Sequence, residues 1–319
     1  MAVARMPSTL TTVDGTPLSR IGLGTASLGR ANDRAQFEAT FRRAADLGLN
    51  WVDTDAVFGF GEAELLIGRI LANLPAERRP FVATAVGLDW DGRLRRPAPQ
   101  SVIEPHRLRQ QLERSLTRLG LETVDLVKLN VDTRAGALFE DAWSTLLDFK
   151  QGGLVRAVGL VAPDSAHLER AERIGACDAV YVKLSLIDRR ICDSELMCRQ
   201  APTPAVIGYR ALAGGELTTA GRLAEMLGAP SLEPLRQLLR TIAGRRRATP
   251  SSVAAAWSLT WPGIAGLAIG TRSPEHIADI VAAPDIELSV RDLSDIANLL
   301  PTLGAGQGPS HPRRFAKAA

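Results

Sequence analysis

The sequence predicts an α/β fold of the (β/α)8 TIM-barrel type. Short runs rich in β-branched and apolar residues alternate with longer amphipathic stretches, the alternation occurs eight times in 319 residues, and a hairpin signal precedes the first run. Strands buried on both faces and joined by helices give such a pattern, and eight repeats are the number that closes a barrel.

The elements follow in order. Thr12-Val13-Asp14-Gly15-Thr16 is expected to form a hairpin, because Asp-Gly accepts the two positive φ angles of a type I′ turn. Barrel strands are expected at Ile21–Leu23, Trp51–Asp53, Phe81–Val86, Asp125–Leu129, Ala157–Val161, Ala179–Leu184, Ala205–Tyr209 and Gly266–Ile269. Helices are expected at 34–47, 62–73, 105–119, 138–151, 165–174, 231–244, 250–260 and 274–282, most with apolar residues three or four apart. Residues 1–303 form one domain in this reading. After Leu303 the chain turns to Gly, Pro and Arg, and 304–319 is expected to be a mobile tail.

Composition narrows the function classes. A 45% hydrophobic content can fill a large core, and no run approaches the roughly eighteen apolar residues that span a bilayer. A cytoplasmic protein with no membrane partner is the expectation. Cys177, Cys192 and Cys198 are odd in number and lack ligand spacing, so neither disulfides nor a metal site are expected. The net charge of +3 comes from scattered arginines, and the clusters at 93–96 and 245–247 lack interleaved aromatics, so no nucleic-acid partner is expected. Lysines are few: Lys128, Lys150, Lys183 and Lys317.

In such a barrel the chemistry sits at the carboxyl ends of the strands. The segment from Trp51 to Gly68, Trp-Val-Asp-Thr-Asp-Ala-Val-Phe-Gly-Phe-Gly-Glu-Ala-Glu-Leu-Leu-Ile-Gly, resembles the aldo-keto reductase signature D-T-A-x-x-Y-G-x-G-x-S-E-x-x-L-G. Gly22-Leu-Gly-Thr, Ala83-Thr-Ala-Val-Gly, Ser115-Leu-Thr-Arg-Leu-Gly-Leu and Gly153-Leu-Val-Arg-Ala-Val-Gly extend the resemblance along nearly the whole chain. The resemblance implies nicotinamide-dependent reduction of a small-molecule carbonyl, with NADP as cofactor. It also implies a catalytic tetrad of aspartate, tyrosine, lysine and histidine. Asp53 stands at the aspartate, but Phe58 stands at the tyrosine, Ala85 at the lysine and Asn130 at the histidine. A phenyl ring has no proton to give, and a positioned general acid contributes about two to four orders of magnitude in rate.

The implied cofactor site is mixed. Val161, Ala162 and Tyr181 stand where the family holds the carboxamide, and none reproduces those amide contacts. Tyr209 stands at the ring that stacks on nicotinamide, and Gly270, Thr271 and Arg272 lie in the segment that meets the adenosine phosphate.

Strand parity adds a second set of candidates. If Val180, Val182, Leu184 and Leu186 meet the helices, then Tyr181, Lys183 and Ser185 face the interior, and the same alternation turns Lys128 and Asn130 inward. A desolvated lysine can act as base or imine-forming nucleophile with Asp53 as its carboxylate; the plainer reading is an ion pair that replaces the charge absent at Ala85. Asp55 is either a second acid/base carboxylate or a loop cap, and Arg210 either binds an anion or pairs within its loop. Phe58, Phe60, Trp90 and Tyr209 are expected to line an apolar pocket, with Asp55 beside it, although the 88–100 loop carrying Trp90 has no readable placement.

Three functions follow. The first is a barrel turned to a nonredox step (elimination, isomerisation, cyclisation or retro-aldol cleavage) through Asp53, Lys128 and Lys183, with Asn130 and Tyr181 in support. The second is an NAD(P)H-dependent oxidoreductase with a non-standard proton donor, Tyr181 or water. The third is a noncatalytic binding or regulatory barrel.

Overall fold

Asp14 and Gly15 take φ of 49° and 73°, and their type I′ turn joins β1 (Leu10–Val13) to β2 (Thr16–Ser19) in an antiparallel hairpin. The computed structural model describes residues 10–28, 34–91, 98–130, 136, 138–162, 164–198, 204–218, 230–271, 273–304 and 306–312.

Eight parallel strands close the barrel. They are β3 (Ile21–Gly24), β4 (Trp51–Asp53), β5 (Phe81–Val86), β8 (Val124–Asn130), β9 (Val155–Val161), β10 (Ala179–Lys183), β11 (Ala205–Tyr209) and β12 (Ile264–Gly270), hydrogen-bonded in that order with β12 returning to β3. Two further short strands, β6 (Leu88–Asp89) and β7 (Gln100–Ser101), pair across the loop that follows β5, which gives the unplaced 88–100 segment an ordered base.

The helices are α1 (Arg34–Asp46), α2 (Glu62–Ala72), α3 (Pro105–Leu119), α4 (Leu138–Gln151), α5 (Ser165–Ile174), α6 (Glu233–Arg246), α7 (Pro250–Leu259), α8 (Pro274–Val281) and α9 (Val290–Leu299). The last was not anticipated. It starts at a capping box, in which the Ser289 hydroxyl accepts from the Asp292 N–H while Asp292 accepts from the Ser289 N–H. Asp292 also pairs with Arg245 and Arg246, so two arginines of the 245–247 cluster are engaged within the fold. No helix among the described residues is long and apolar enough to cross a membrane.

Side-chain alternation divides the core in two. Val180, Val182, Leu184 and Leu186 join the outer layer between strands and helices. Inside the barrel, bulky Trp51, Phe81, Leu126, Tyr181 and Ile207 mix with the small Ala83, Ala157, Ala179, Ala205 and Ala268, and the hairpin residues Val13 and Leu18 belong to this cluster. The Trp51 indole donates to the Ser19 carbonyl at 2.8 Å and lies against Gly22, where an added Cβ would stand 2.1 Å from the ring. Glycine at 22 is therefore required by the size of Trp51.

The carboxyl-terminal segment, expected to be a mobile tail from residue 304, meets the loop after β10 at residues 307–309. The Arg189 N–H donates to the Gln307 carbonyl, and its buried guanidinium donates to the Gly308 and Pro309 carbonyls at 3.1 and 2.9 Å. These bonds tie residues 307–309 to the loop after β10. Residues 313–319 lie outside the described residues.

Gly22→Ala is expected to lower folding stability by about 1–3 kcal/mol or more, through overpacking against Trp51. Urea unfolding measures it, and an unchanged midpoint would show that the indole can shift at little cost.

Candidate active site

Parity along two strands builds two rungs at the mouth. Asp53 and Asp55 follow one another on and just after β4, and Lys128 and Asn130 do so on β8, with β5 between the two strands. A side chain from β8 can reach β4 only across β5. Ala85, directly opposite Lys128 in the β5–β8 register, leaves that path open.

The lower rung is an ion pair. The Lys128 ammonium donates to the Asp53 carboxylate and, at 3.3 Å, to the Thr54 carbonyl, and both side chains are buried. Tyr181 on β10 lies beneath it, with its ring centroid 4.3 Å from the Lys128 nitrogen. Burial raises the Asp53 pKa, against the pull of Lys128. Burial, then the charge on Asp53, raises Tyr181 well above the ordinary phenol value. The Tyr181 residue is 2% exposed, and its hydroxyl approaches Asp53 without a hydrogen bond of good geometry. It is a neutral phenol closed off from the mouth.

The upper rung joins Asp55 to Asn130. Asn130 donates through Nδ2 to Asp55 Oδ2 at 3.1 Å and to the Val86 carbonyl at 3.2 Å, while Asp55 Oδ1 accepts from the Val57 N–H at 3.0 Å. Asp55 thus does cap its loop, but it is buried rather than solvated. Burial pushes its pKa up to about 6, against the Val57 bond, the Lys128 charge and the Asn130 bond, with a contribution from Glu64 in the same direction as burial. Glu64 itself is buried behind the site, accepting from Thr84 at 2.6 Å and Arg118 at 2.7 Å.

The second lysine departs from the expectation. Lys183 has inward parity, but as the last residue of β10 it bonds Asp188 at 2.7 Å and not Asp53. Arg190 holds the same carboxylate with two bonds of 2.9 Å, and these partners, outweighing burial, hold Asp188 down to about 2. A two-lysine centre around Asp53 is not formed.

The remaining candidates ring the mouth. Phe58 is half-buried after β4, and Phe60, 44% exposed, packs on Trp90 with ring centroids 5.6 Å apart. Trp90 is positioned by its N–H on the Asp89 carboxylate, itself held by Arg107 and Arg114 at 3.1 and 2.8 Å. Tyr209 ends β11 half-buried, with Arg210 exposed beside it. Gly270 ends β12 and buried Thr271 follows it; Arg272 lies outside the described residues. Ala162 has φ 51°, a conformation asparagine tolerates better than alanine. Phe60 is among the aromatics expected to line an apolar pocket, but its exposure depends on a backbone turn that the sequence does not show. Two surface cavities, of about 560 and 240 Å3, lie between α6 and α9 and at the amino ends of β4 and β5.

A model of the Aldo/keto reductase family matches residues 20–301. The chain belongs to that family. Among the relatives of this aldo/keto reductase, the NADH-specific methylglyoxal reductase of Escherichia coli (strain K12) is 26% identical over 304 residues, covering 86% of this chain and 92% of that protein. A probable aldo-keto reductase of Glycine max is 27% identical over 309 residues, covering 90% and 87%. Among solved structures, a glycerol dehydrogenase from Gluconobacter oxydans superposes with a TM-score of 0.82 at 24% identity, over 95% of this chain and 99% of that one. An aldo-keto reductase from Klebsiella pneumoniae in complex with NADPH gives 0.73 at 22%, over 95% and 98%. At those identities the structures establish the shared fold.

Lys128→Met in this aldo/keto reductase leaves Asp53 as an unpaired buried charge, and a loss of about 3–5 kcal/mol is expected near neutral pH. Asp53 already has a raised pKa, so the deficit should shrink as pH falls and the carboxyl takes up a proton. Adding Asp53→Asn should recover most of the loss. Denaturant unfolding at pH 5 and pH 8 tests this; a pH-independent deficit in the single variant would point to lost packing on Tyr181 instead.

Proposed function

We propose that the chain is a nicotinamide-dependent oxidoreductase that interconverts a small carbonyl compound and its alcohol, with Asp55 giving and taking the proton. The observation that carries this reading is the upper rung: a carboxyl group at the mouth, with a pKa near 6, oriented by Asn130 and the Val57 N–H. A carboxyl group poised there is protonated often enough near neutrality to serve as acid and ionised often enough to serve as base. Both Asn130 N–H groups are taken by Asp55 and Val86, so Asn130 acts as a positioning residue. Lys128 and Asp53 form the charged floor below it.

The residues present fit a dinucleotide in part. The buried Ser27 hydroxyl has no hydrogen-bond partner among the described residues and lies close to Gly270, at the seam between the first and last barrel strands. Ser27, Tyr209, Gly270 and Thr271 are the groups that would hold the cofactor. When bound, a nicotinamide supplies the hydride exchanged with the carbonyl carbon. Relatives named as a methylglyoxal reductase and a glycerol dehydrogenase, and one solved with NADPH, support the same class.

The nonredox reading rests on the coordinated changes at the tetrad positions together with two inward lysines, and of these Lys183 is committed to Asp188. The scaffold reading called for outward lysines and an apolar plug, whereas Lys128 is inward and the mouth carries Asp55 and Asn130.

Carbonyl reduction is expected to fall as pH rises through about 6, and alcohol oxidation to rise over the same range, because one needs the protonated and the other the ionised Asp55. Asp55→Asn should lower the rate by about two to four orders of magnitude and remove that limb. The same group sets a stability trend. Its native pKa of about 6 exceeds the ordinary 3.8, so the native state binds more protons in that window, and stability should fall by about 2 kcal/mol as pH rises from 4 to 6. Asp55→Asn should flatten this trend; a variant with wild-type rate and an intact pH limb would remove Asp55 from the chemistry.

A further inference from the structure

We propose that the substrate is a carbonyl compound carrying both an aromatic or bulky apolar group and an anionic group, held across the mouth between Phe60–Trp90 on one side and Arg210 with Lys183 on the other. The carbonyl itself rests on the oxidoreductase reading above; the two walls are independent of it.

The topology sets the walls opposite each other. Phe60 and Trp90 follow β4 and β5, Lys183 and Arg210 end or follow β10 and β11, and in the closed ring β4 is four strands from β10, as β5 is from β11. Between them lies the Asp55–Asn130 rung.

Both walls are presented by unusual backbone. Phe60 has φ 57° and Arg210 has φ 60°, left-handed conformations that bulky residues seldom adopt and that each cost of order 1–3 kcal/mol. Phe60 spends that strain to place an apolar ring in solvent, 44% exposed against Trp90, where burial would be the favoured outcome. Trp90 is in turn braced by the Asp89–Arg107–Arg114 cluster, so the pair is a fixed face.

Arg210 is the charged counterpart. Its exposed guanidinium lies over Gly214 and takes part in no ion pair with any described residue. Lys183, 42% exposed, and Arg190 share one carboxylate, Asp188, so with Arg210 these described residues set three cations against one anion. Tyr209 lies among them, its hydroxyl within the field of both Arg210 and Asp188. An arginine held in strained backbone with no acid partner among the described residues suits a ligand carboxylate or phosphate, which it can grip with two parallel N–H bonds. The opposite face suits a ring that stacks or packs edge-on.

The test is calorimetric titration of the full-length protein with phenylglyoxylate, phenylglyoxylamide and pyruvate, with and without NADP. The acid should bind about tenfold or more tighter than its amide, from the charge-assisted bonds, and about tenfold or more tighter than pyruvate, from the ring. Arg210→Gln should erase the first preference and keep the second, and Phe60→Ala should do the reverse. Equal binding of acid and amide, loss of both preferences in either variant, or no binding of any probe would overturn the proposal. Inorganic pyrophosphate that competes with phenylglyoxylate, and whose binding is lost in Arg210→Gln, would assign the cation to a cofactor phosphate and also overturn it. Both preferences intact with no hydride transfer would leave the two walls standing and retire the oxidoreductase reading alone.

Discussion

A buried ammonium and carboxylate at the centre of the barrel set the terms for the rest of the mouth. Asp53 and Lys128 come from strands that are not neighbours, and their charges meet because β5 offers alanine between them. Each alone would be an uncompensated charge in an apolar interior, and together they are tolerable with the Thr54 carbonyl and the Tyr181 ring filling the remaining contacts. A larger residue at 85 would stand in the lysine's path, and a shorter residue at 128 would abandon the aspartate. The sizes at 85 and 128 are one constraint spread over two strands.

That pair also governs the rung above it. Asp55 is buried deeply enough to be driven up toward neutrality, yet the Lys128 charge and the Val57 and Asn130 bonds limit the rise to about 6. Two carboxylates two residues apart therefore have different work: the lower is fixed in an ion pair, and the upper is left able to titrate. Environment separates their roles, since both are aspartates on the same short stretch of chain.

The barrel and its interior alternation were legible from the chain, because period-two burial leaves a strong pattern in β8 and β10. It correctly turned Lys128 inward toward Asp53. It also gave Lys183 the correct parity, but not its partner, because the last residue of a strand is claimed by the loop beyond it, and Asp188 lies on that loop. The fate of Asp55 was open for a similar reason: a carboxylate after a strand is a cap or a site residue depending on how far the following turn buries it. Helix α9 lay in a stretch read only as the end of the barrel, and its Ser289–Asp292 box was the available sign. What the sequence withheld was local backbone choice. The positive φ angles at Phe60 and Arg210 decide which side chains meet solvent, and no composition or spacing encodes them.

The carboxyl-terminal segment ties these parts into one mouth. Arg189 is buried without a carboxylate of its own among the described residues and donates to the carbonyls of Leu186, Gly308 and Pro309. Its two chain neighbours, Asp188 and Arg190, form the cluster that holds Lys183. A guanidinium satisfied by carbonyls from two distant segments fixes the geometry of both, since losing either set leaves buried N–H groups unpaired. The charged wall thus owes its position to residues 307–309, far along the chain from the strand it decorates. The aromatic wall depends just as much on Arg107 and Arg114 of α3, which hold Asp89 and through it Trp90. In each case a rim group at the mouth is set by a charged bond behind it. The barrel strands fix Asp53 and Lys128 directly, whereas the rim is set through such bonds from residues distant in sequence.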